Sequence, residues 1–232
     1  MAVKKSGYDV SRIAEIIRDS AKPEFHAPRG NSKLGTIPAW NVAPFVTCSE
    51  CAMKSCAIDG CYAVKNMFAH GYNYNTNNVL KAWTDNTKLA FTDLDKLEKQ
   101  LDAYLTVVEM SIASCKFFRI HSAGDFFSVK YAEMWKRLAI NHPGVKFLAF
   151  TKQFDIIRKV DFSGLDNFSL VLSGWTGCEI PADLMEKYHA AFCVERGQDA
   201  PENALECPGN CDTCGMCWNL NAINSNVYFH KH

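Results

Sequence analysis

One alternation restricts the fold of this chain more than any other feature. CKFFRIHS (115–122), VKFLAFTK (145–152) and FSLVLSGWTG (168–177) are short apolar runs. Each is followed by a stretch with helical character: VKYAEMWKRLAINHP, stopped by Pro143, then QFDIIRKV, then IPADLMEKYHAAFCV. Short apolar runs bounded by polar residues are buried strands. Strands alternating with helices of this length form β-α units around a parallel sheet. An earlier run, TIPAWNVAPFVTC (36–48), reads as a strand leading into Cys48, with two prolines that suit an edge or a strand end. Four or five strands are visible, too few for eight units. The expectation is an α/β fold, either a partial (β/α) barrel or an open parallel sheet of about 4–6 strands, with a C-terminal cysteine-rich metal or cluster region.

The rest of the chain frames this region. Val10, Ile13, Ile16 and Ile17 have helical spacing within residues 8–20, and residues 21–35, rich in polar residues, Pro and Gly, read as a loop. CYAVKNMFAHGY suggests a helix from Cys61. Residues 77–113 read as a longer helical region, with Thr92 or Asp93 as an N-cap and Leu94, Leu97, Leu101, Leu105 and Val108 on one face. The expected division is an N-terminal helix and loop (1–35), the α/β region (36–200) and a terminal cysteine segment (201–232).

Charge and cysteine content narrow the setting. Lys+Arg and Asp+Glu both number 25, so the chain lacks the net positive charge of a broad nucleic-acid footprint, and only a local patch could serve. No apolar run approaches the ~20 residues that cross a bilayer, and MAVKKSGYDVSRIAEII lacks the continuous apolar stretch of a secretory signal. The expected location is the cytoplasm, where thiols stay reduced. Eleven cysteines there read as metal or cluster ligands rather than disulfides.

In α/β folds chemistry gathers at the carboxyl ends of the parallel strands. Here those ends carry His121, Ser122, Gly124 and Asp125 after one strand, Lys152 after the next, and Ser173 after a third. His121, Asp125 and Lys152 are the candidate catalytic residues, and Ser122, Gly124 and Ser173 the candidate cofactor-binding ones. Ser, Asp and Gly are also ordinary turn and cap residues, so each has a structural reading beside the functional one.

Two cysteine groups stand out. CSECAMKSCAIDGCYA places Cys48, Cys51, Cys56 and Cys61 between a strand and a helix, with gaps of two, four and four residues. CPGNCDTCGMCW places Cys207, Cys211, Cys214 and Cys217 at gaps of three, two and two. All eight are candidate metal ligands. Four thiolates satisfy tetrahedral zinc or an iron–sulfur cluster, and spacing leaves both open. Cys115, Cys178 and Cys193 lie in apolar surroundings and read as small core residues.

A cysteine-rich loop after the first strand, with an aromatic directly after its last cysteine (Cys61-Tyr62), resembles the radical S-adenosylmethionine enzymes. The combination of WNVAPFVTC, CYAVK, RIHSAGDF, FTK and the terminal CxxCxxCW resembles a bacteriophage family known as gene-product-88-like, over about residues 33–220. The first resemblance implies one or two 4Fe–4S clusters, with S-adenosylmethionine as a further ligand and SAGDF (122–126) as its binding turn. The loop's gaps depart from the radical motif's three and two, and SAGDF has one glycine before an Asp instead of two before a Glu. The expected function is redox or radical chemistry on a small molecule or nucleotide. The alternative is a zinc-stabilised nucleic-acid- or partner-binding module, in which aromatics of GYNYNTNN (71–78) stack on bases.

Overall fold

The computed structural model describes residues 10–111 and 116–231. In chain order its elements are α1 (Val10–Asp19), β1 (Ala39–Trp40), α2 (Glu50–Lys54), α3 (Tyr62–Met67), α4 (Asn78–Thr92), α5 (Leu94–Met110), β2 (Phe117–Ile120) and α6 (Val129–Asn141). There follow β3 (Lys146–Thr151), α7 (Phe154–Lys159), β4 (Phe168–Gly174), α8 (Ala182–Met185), β5 (His189–Val194) and β6 (Ala204–Glu206). The chain closes with α9 (Cys211–Cys214), a 3-10 turn (Met216–Asn219), α10 (Leu220–Ile223) and β7 (Asn226–His230).

The strands form one open sheet in the order β1-β2-β3-β4-β5-β7-β6, and every pairing is parallel. The α/β expectation holds in its open-sheet form, with seven strands among the described residues. The two extra strands, β6 and β7, flank the terminal cysteines, so the segment from 201 onward is woven into the same sheet. Neither carries the long apolar run that marks a central strand, which hides them in the sequence. The expected first strand shrinks to Ala39–Trp40 at the sheet edge. Pro38 and Pro44 lack the N–H that a longer ladder needs, and Phe45, at φ 69°, turns the chain away.

Side-chain alternation divides the sheet into two faces. Phe118, Ile120, Phe147, Ala149, Leu170 and Leu172 meet residues of α4, α5, α6 and α7 in the main core. Phe117, Leu148, Phe150, Val171, Ala191 and Val227 face the other way. There they are covered by Leu34 and Ile37 from the loop after α1, and by Trp218 and Leu220 from the terminal segment. The terminal cysteine run is therefore the lid of one sheet face.

The long helical region of 77–113 is two helices. Asp93 ends α4 through its N–H to the Leu89 carbonyl, and its carboxylate accepts from Lys96 N to start α5. A residue that caps both ways breaks the helix where the apolar spacing runs on. Ile13, Ile16 and Ile17 of α1 pack with Val64, Met67 and Leu80 in a second core around the first cysteine loop.

Candidate functional site

The sheet brings the ends of β2, β3 and β4 to one rim, and Asp125 organises it. Its Oδ1 accepts from Phe126 N (2.8 Å) and Thr151 Oγ1 (2.7 Å), and its Oδ2 from Lys152 N (2.8 Å). Burial raises this carboxyl to about 6, against the pull of those donors and of the Lys152 ammonium. Lys152 Nζ donates to Ser173 Oγ at 2.7 Å and lies 5.5 Å from the centre of the Trp175 ring. Asp125, Lys152 and Ser173, expected from three separate strand ends, are thus tied into one network.

Gly124 and Ser122 hold the same turn. Ser122 Oγ and Ala123 N both donate to Asn41 Oδ1, at 2.7 and 2.9 Å. Gly124 has φ +80°, and a Cβ there would lie 2.4 Å from Val42 Cγ2 and 2.8 Å from Thr47 Oγ1. Glycine is needed for this left-handed conformation and close approach. The geometry gives both residues work in shaping the turn.

His121, expected among the catalytic residues, lies just beneath the rim. It has φ 58° and is 3 % exposed, with its ring set among Phe126, Tyr131 and Trp135 of the helix-side core. Its Nε2 pairs with the Tyr131 hydroxyl at 2.8 Å, and that hydroxyl also accepts from Trp40 Nε1 at 3.0 Å. Burial lowers the imidazole to about 3, with Arg119 adding to the effect. The left-handed backbone turns the ring beneath the rim instead of onto it.

The first cysteine loop lies over this rim. Asp125 and Cys61 raise the thiols of Cys48 and Cys56 beyond what burial does, and Lys152 lowers that of Cys56. Cys48 Sγ accepts from Phe45 N at 3.2 Å, and burial pushes its thiol far above the usual range. Thr47 and Gln153 fasten loop to rim: Asp125 N donates to Thr47 Oγ1 (3.3 Å) and Gln153 Nε2 to Thr47 O (2.9 Å). Cys51 departs from the expected ligand set, because its sulfur is bonded to that of Cys178. Cys178 sits in a tight bridge with Trp175 just past β4, and only the fold brings it to α2. The expectation of thiols without disulfides is corrected here, while Cys178 is, as expected, a small buried core residue. Cys193 is a free thiol on β5, and Cys115 lies outside the described residues.

The terminal cysteines form a second group on the sheet face. Cys207, Cys211, Cys214 and Cys217 line one small concavity with Pro208, Asn210, Gly215, Met216 and Trp218. Burial pushes the Cys217 thiol up to about 12. Trp218 stacks on Phe117 with ring centres 4.7 Å apart and donates from Nε1 to Phe118 O, fixing the run to β2. Lys33 Nζ lies 3.3 Å from Cys207 Sγ.

Thiolates around a single zinc sit about 3.8 Å apart, given tetrahedral bonds of about 2.3 Å. Among the described residues, the group of three such donors within 4.8 Å of one another is Glu24, His26 and Asp85, with no three cysteine sulfurs so close. Two of the trio belong to an internal network, with Glu24 exposed beside it: Asp85 accepts from Lys22 N, Tyr74, Lys81 Nζ and His26 Nε2. The same network absorbs part of GYNYNTNN. Tyr74 is buried, and Asn77 caps α4 while donating to the Met67 and Gly71 carbonyls. Tyr72 stays half exposed, stacked on Phe68.

Three site residues escape a reading by strand ends. Arg119 sits inside β2, Tyr62 donates its hydroxyl to the Ser122 carbonyl, and Lys33 reaches in from the N-terminal loop. Arg119 alone had a visible signal, a charge within the apolar run KFFRI.

An open all-parallel α/β sheet with one cysteine loop on its carboxyl rim and a second on its face defines the class of this protein. The family model described as Gene product 88 matches residues 16–220, and the chain belongs to that family. It is 30 % identical over 122 residues to the Gene 88 protein of Mycobacterium phage L5, a match covering 45 % of this chain and 51 % of that protein. The chain thus spans about half the length of this curated relative. No solved structure matches the chain. No helix among the described residues is long and apolar enough to cross a membrane.

Proposed function

We propose that this chain is an iron–sulfur protein that carries out redox chemistry on a small molecule at the carboxyl rim of its sheet. The observation that carries this reading is the cysteine loop fastened to the polar rim, with Asp125 N donating to Thr47 Oγ1 and Gln153 Nε2 to Thr47 O directly before Cys48. The donor chemistry fits a cluster at both cysteine groups. Cys207, Cys211, Cys214 and Cys217 would hold a closed centre with four thiolates, and Cys48, Cys56 and Cys61 one with three. Such clusters supply one-electron transfer, and three protein ligands leave a place for a further ligand, S-adenosylmethionine or the substrate itself.

The chain's own groups provide the rest. Lys152 presents a cation to an anionic substrate group, held by Ser173. Asp125, raised to about 6, is mostly ionised at neutral pH and poised to accept a proton there. The second reading, a structural zinc site, has the four-thiol composition of the terminal concavity in its favour but requires those sulfurs to draw to about 3.8 Å from one another, closer than they lie.

The test is anaerobic purification with iron, sulfide and zinc analysis and a visible spectrum. Iron and sulfide in the wild-type protein are expected, falling in part in a Cys48/Cys56/Cys61→Ser variant and in part in Cys211→Ser/Cys217→Ser. A colourless protein with stoichiometric zinc and no iron overturns the reading.

A further inference from the structure

β2 carries a half-buried charge that the main core does not explain. Alternation sends Phe118 and Ile120 to the helix side and Phe117 to the face covered by the terminal run. Arg119 shares the face of Phe117. Its guanidinium lies 4.1 Å from the centre of the Phe150 ring and makes two long contacts, 3.3 and 3.4 Å, to the His121 carbonyl. Arg12, Arg18, Arg137 and Arg158 each have a carboxylate partner; among the described residues Arg119 has none, and unlike the exposed Arg29 and Arg196 it is half-buried. The acidic groups that act on it are Tyr62, Cys217, Cys211 and Cys207.

A guanidinium stays charged at any ordinary pH. Arg119 is half-buried, and a guanidinium drawn partly out of water without a carboxylate is stabilised by negative charge on its neighbours. Thiolates bound to a metal supply it and thiols do not. From the outer side, Lys33 Nζ reaches Cys207 Sγ at 3.3 Å. Its loop is latched in place: Cys211 N donates to Lys33 O (2.8 Å), Thr36 Oγ1 to Asp212 Oδ1 (3.2 Å), and Gly35 leaves no room for a Cβ beside Asp212.

We infer that Arg119 and Lys33 are the counter-charges of an anionic metal–thiolate centre on Cys207, Cys211, Cys214 and Cys217, and that they set its reduction potential. The inference rests on the iron–sulfur reading. A cation beside a cluster favours the more negative, reduced state and so raises the potential. Arg119, half-buried under the terminal run, is less screened by salt than the exposed Lys33 and acts more strongly. Both are positioning residues, acting through the thiolates.

The experiment is a dithionite titration of anaerobically purified protein followed by electron paramagnetic resonance, in wild type, R119Q, R119K and K33Q, with iron counted per chain. At fixed poise R119Q should lower the reduced-to-oxidised ratio roughly tenfold, a fall of about 59 mV for a one-electron couple. R119K should restore most of it. K33Q should give a smaller fall that vanishes in high salt. R119Q with wild-type iron and an unchanged potential overturns the inference. Should R119Q fail to fold, K33Q decides: no shift at low salt overturns it as well. A wild-type protein without iron instead overturns the function reading. If that protein holds zinc, the inference requires roughly tenfold weaker zinc retention in R119Q, and unchanged retention overturns it.

Discussion

The sulfurs of Cys51 and Cys178 are bonded across 127 residues of sequence, tying the first cysteine loop to the end of β4. A cross-link closing a loop that long restricts the unfolded chain and stabilises the fold by up to about 5 kcal/mol in the chain-entropy account. Thiol titration in denaturant should therefore find two more thiols after reduction than before it. Cys178→Ser should lower the urea midpoint of oxidised protein and leave that of reduced protein nearly unchanged. Eleven thiols titrating without reductant would rule the bond out of the purified protein.

Gly124→Ala tests the rim turn. The added methyl meets Val42 and Thr47 in a left-handed backbone, so two penalties combine. A loss of about 2 to 4 kcal/mol is expected, read as a fall in melting temperature of roughly 5 to 15 °C. Gly177→Ala is the control, because Gly177 has the same φ of +80° but nothing within 4 Å, and it should cost only about 1 kcal/mol.

His121 predicts an acid-labile fold. Its pKa is near 6.5 unfolded and about 3 folded, so between these values the unfolded chain binds a proton that the native chain does not. Stability then rises with pH across this window and is lost as pH falls through it, by on the order of 5 kcal/mol at its lower end. Asp125, raised to about 6, acts in the opposite sense between about pH 4 and 6. His121→Asn keeps a residue that accepts the left-handed backbone and removes the imidazole. Urea unfolding at stepped pH should show a flatter acid limb in the variant, and parallel limbs would contradict the assignment.

Trp218→Ala should detach the terminal run. Trp218 is 6 % exposed and fixes the cysteines to β2 through Phe117 and the Phe118 carbonyl. Its truncation should cost about 3 to 5 kcal/mol. Limited proteolysis should then cut within residues 207–217 faster than in the wild type, and equal rates would show that the lid is held elsewhere.

Much of the architecture was legible because strand and helix periods are local. The runs ending at Ile120, Thr151 and Gly174 are strands because each buries an apolar stretch on both faces of a parallel sheet, and their polar ends marked Asp125, Lys152 and Ser173. β6 and β7 were not legible, since their pairing depends on distant partners. The burial of the His121 ring was not legible, because it depends on one positive φ whose sign no side-chain pattern encodes.

The amino-acid sequence by itself determined the parallel α/β sheet, the two cysteine groups and the polar strand ends, all written in short-range pattern and residue type. Only the tertiary structure decided which groups meet. Crossovers carried Cys178 to Cys51, laid Cys207–Cys217 over Phe117 and Arg119, and set Lys33 against Cys207. Those contacts span from about 90 to 175 residues of chain, and separations of that size are fixed by sheet order and packing, which local spacing does not contain.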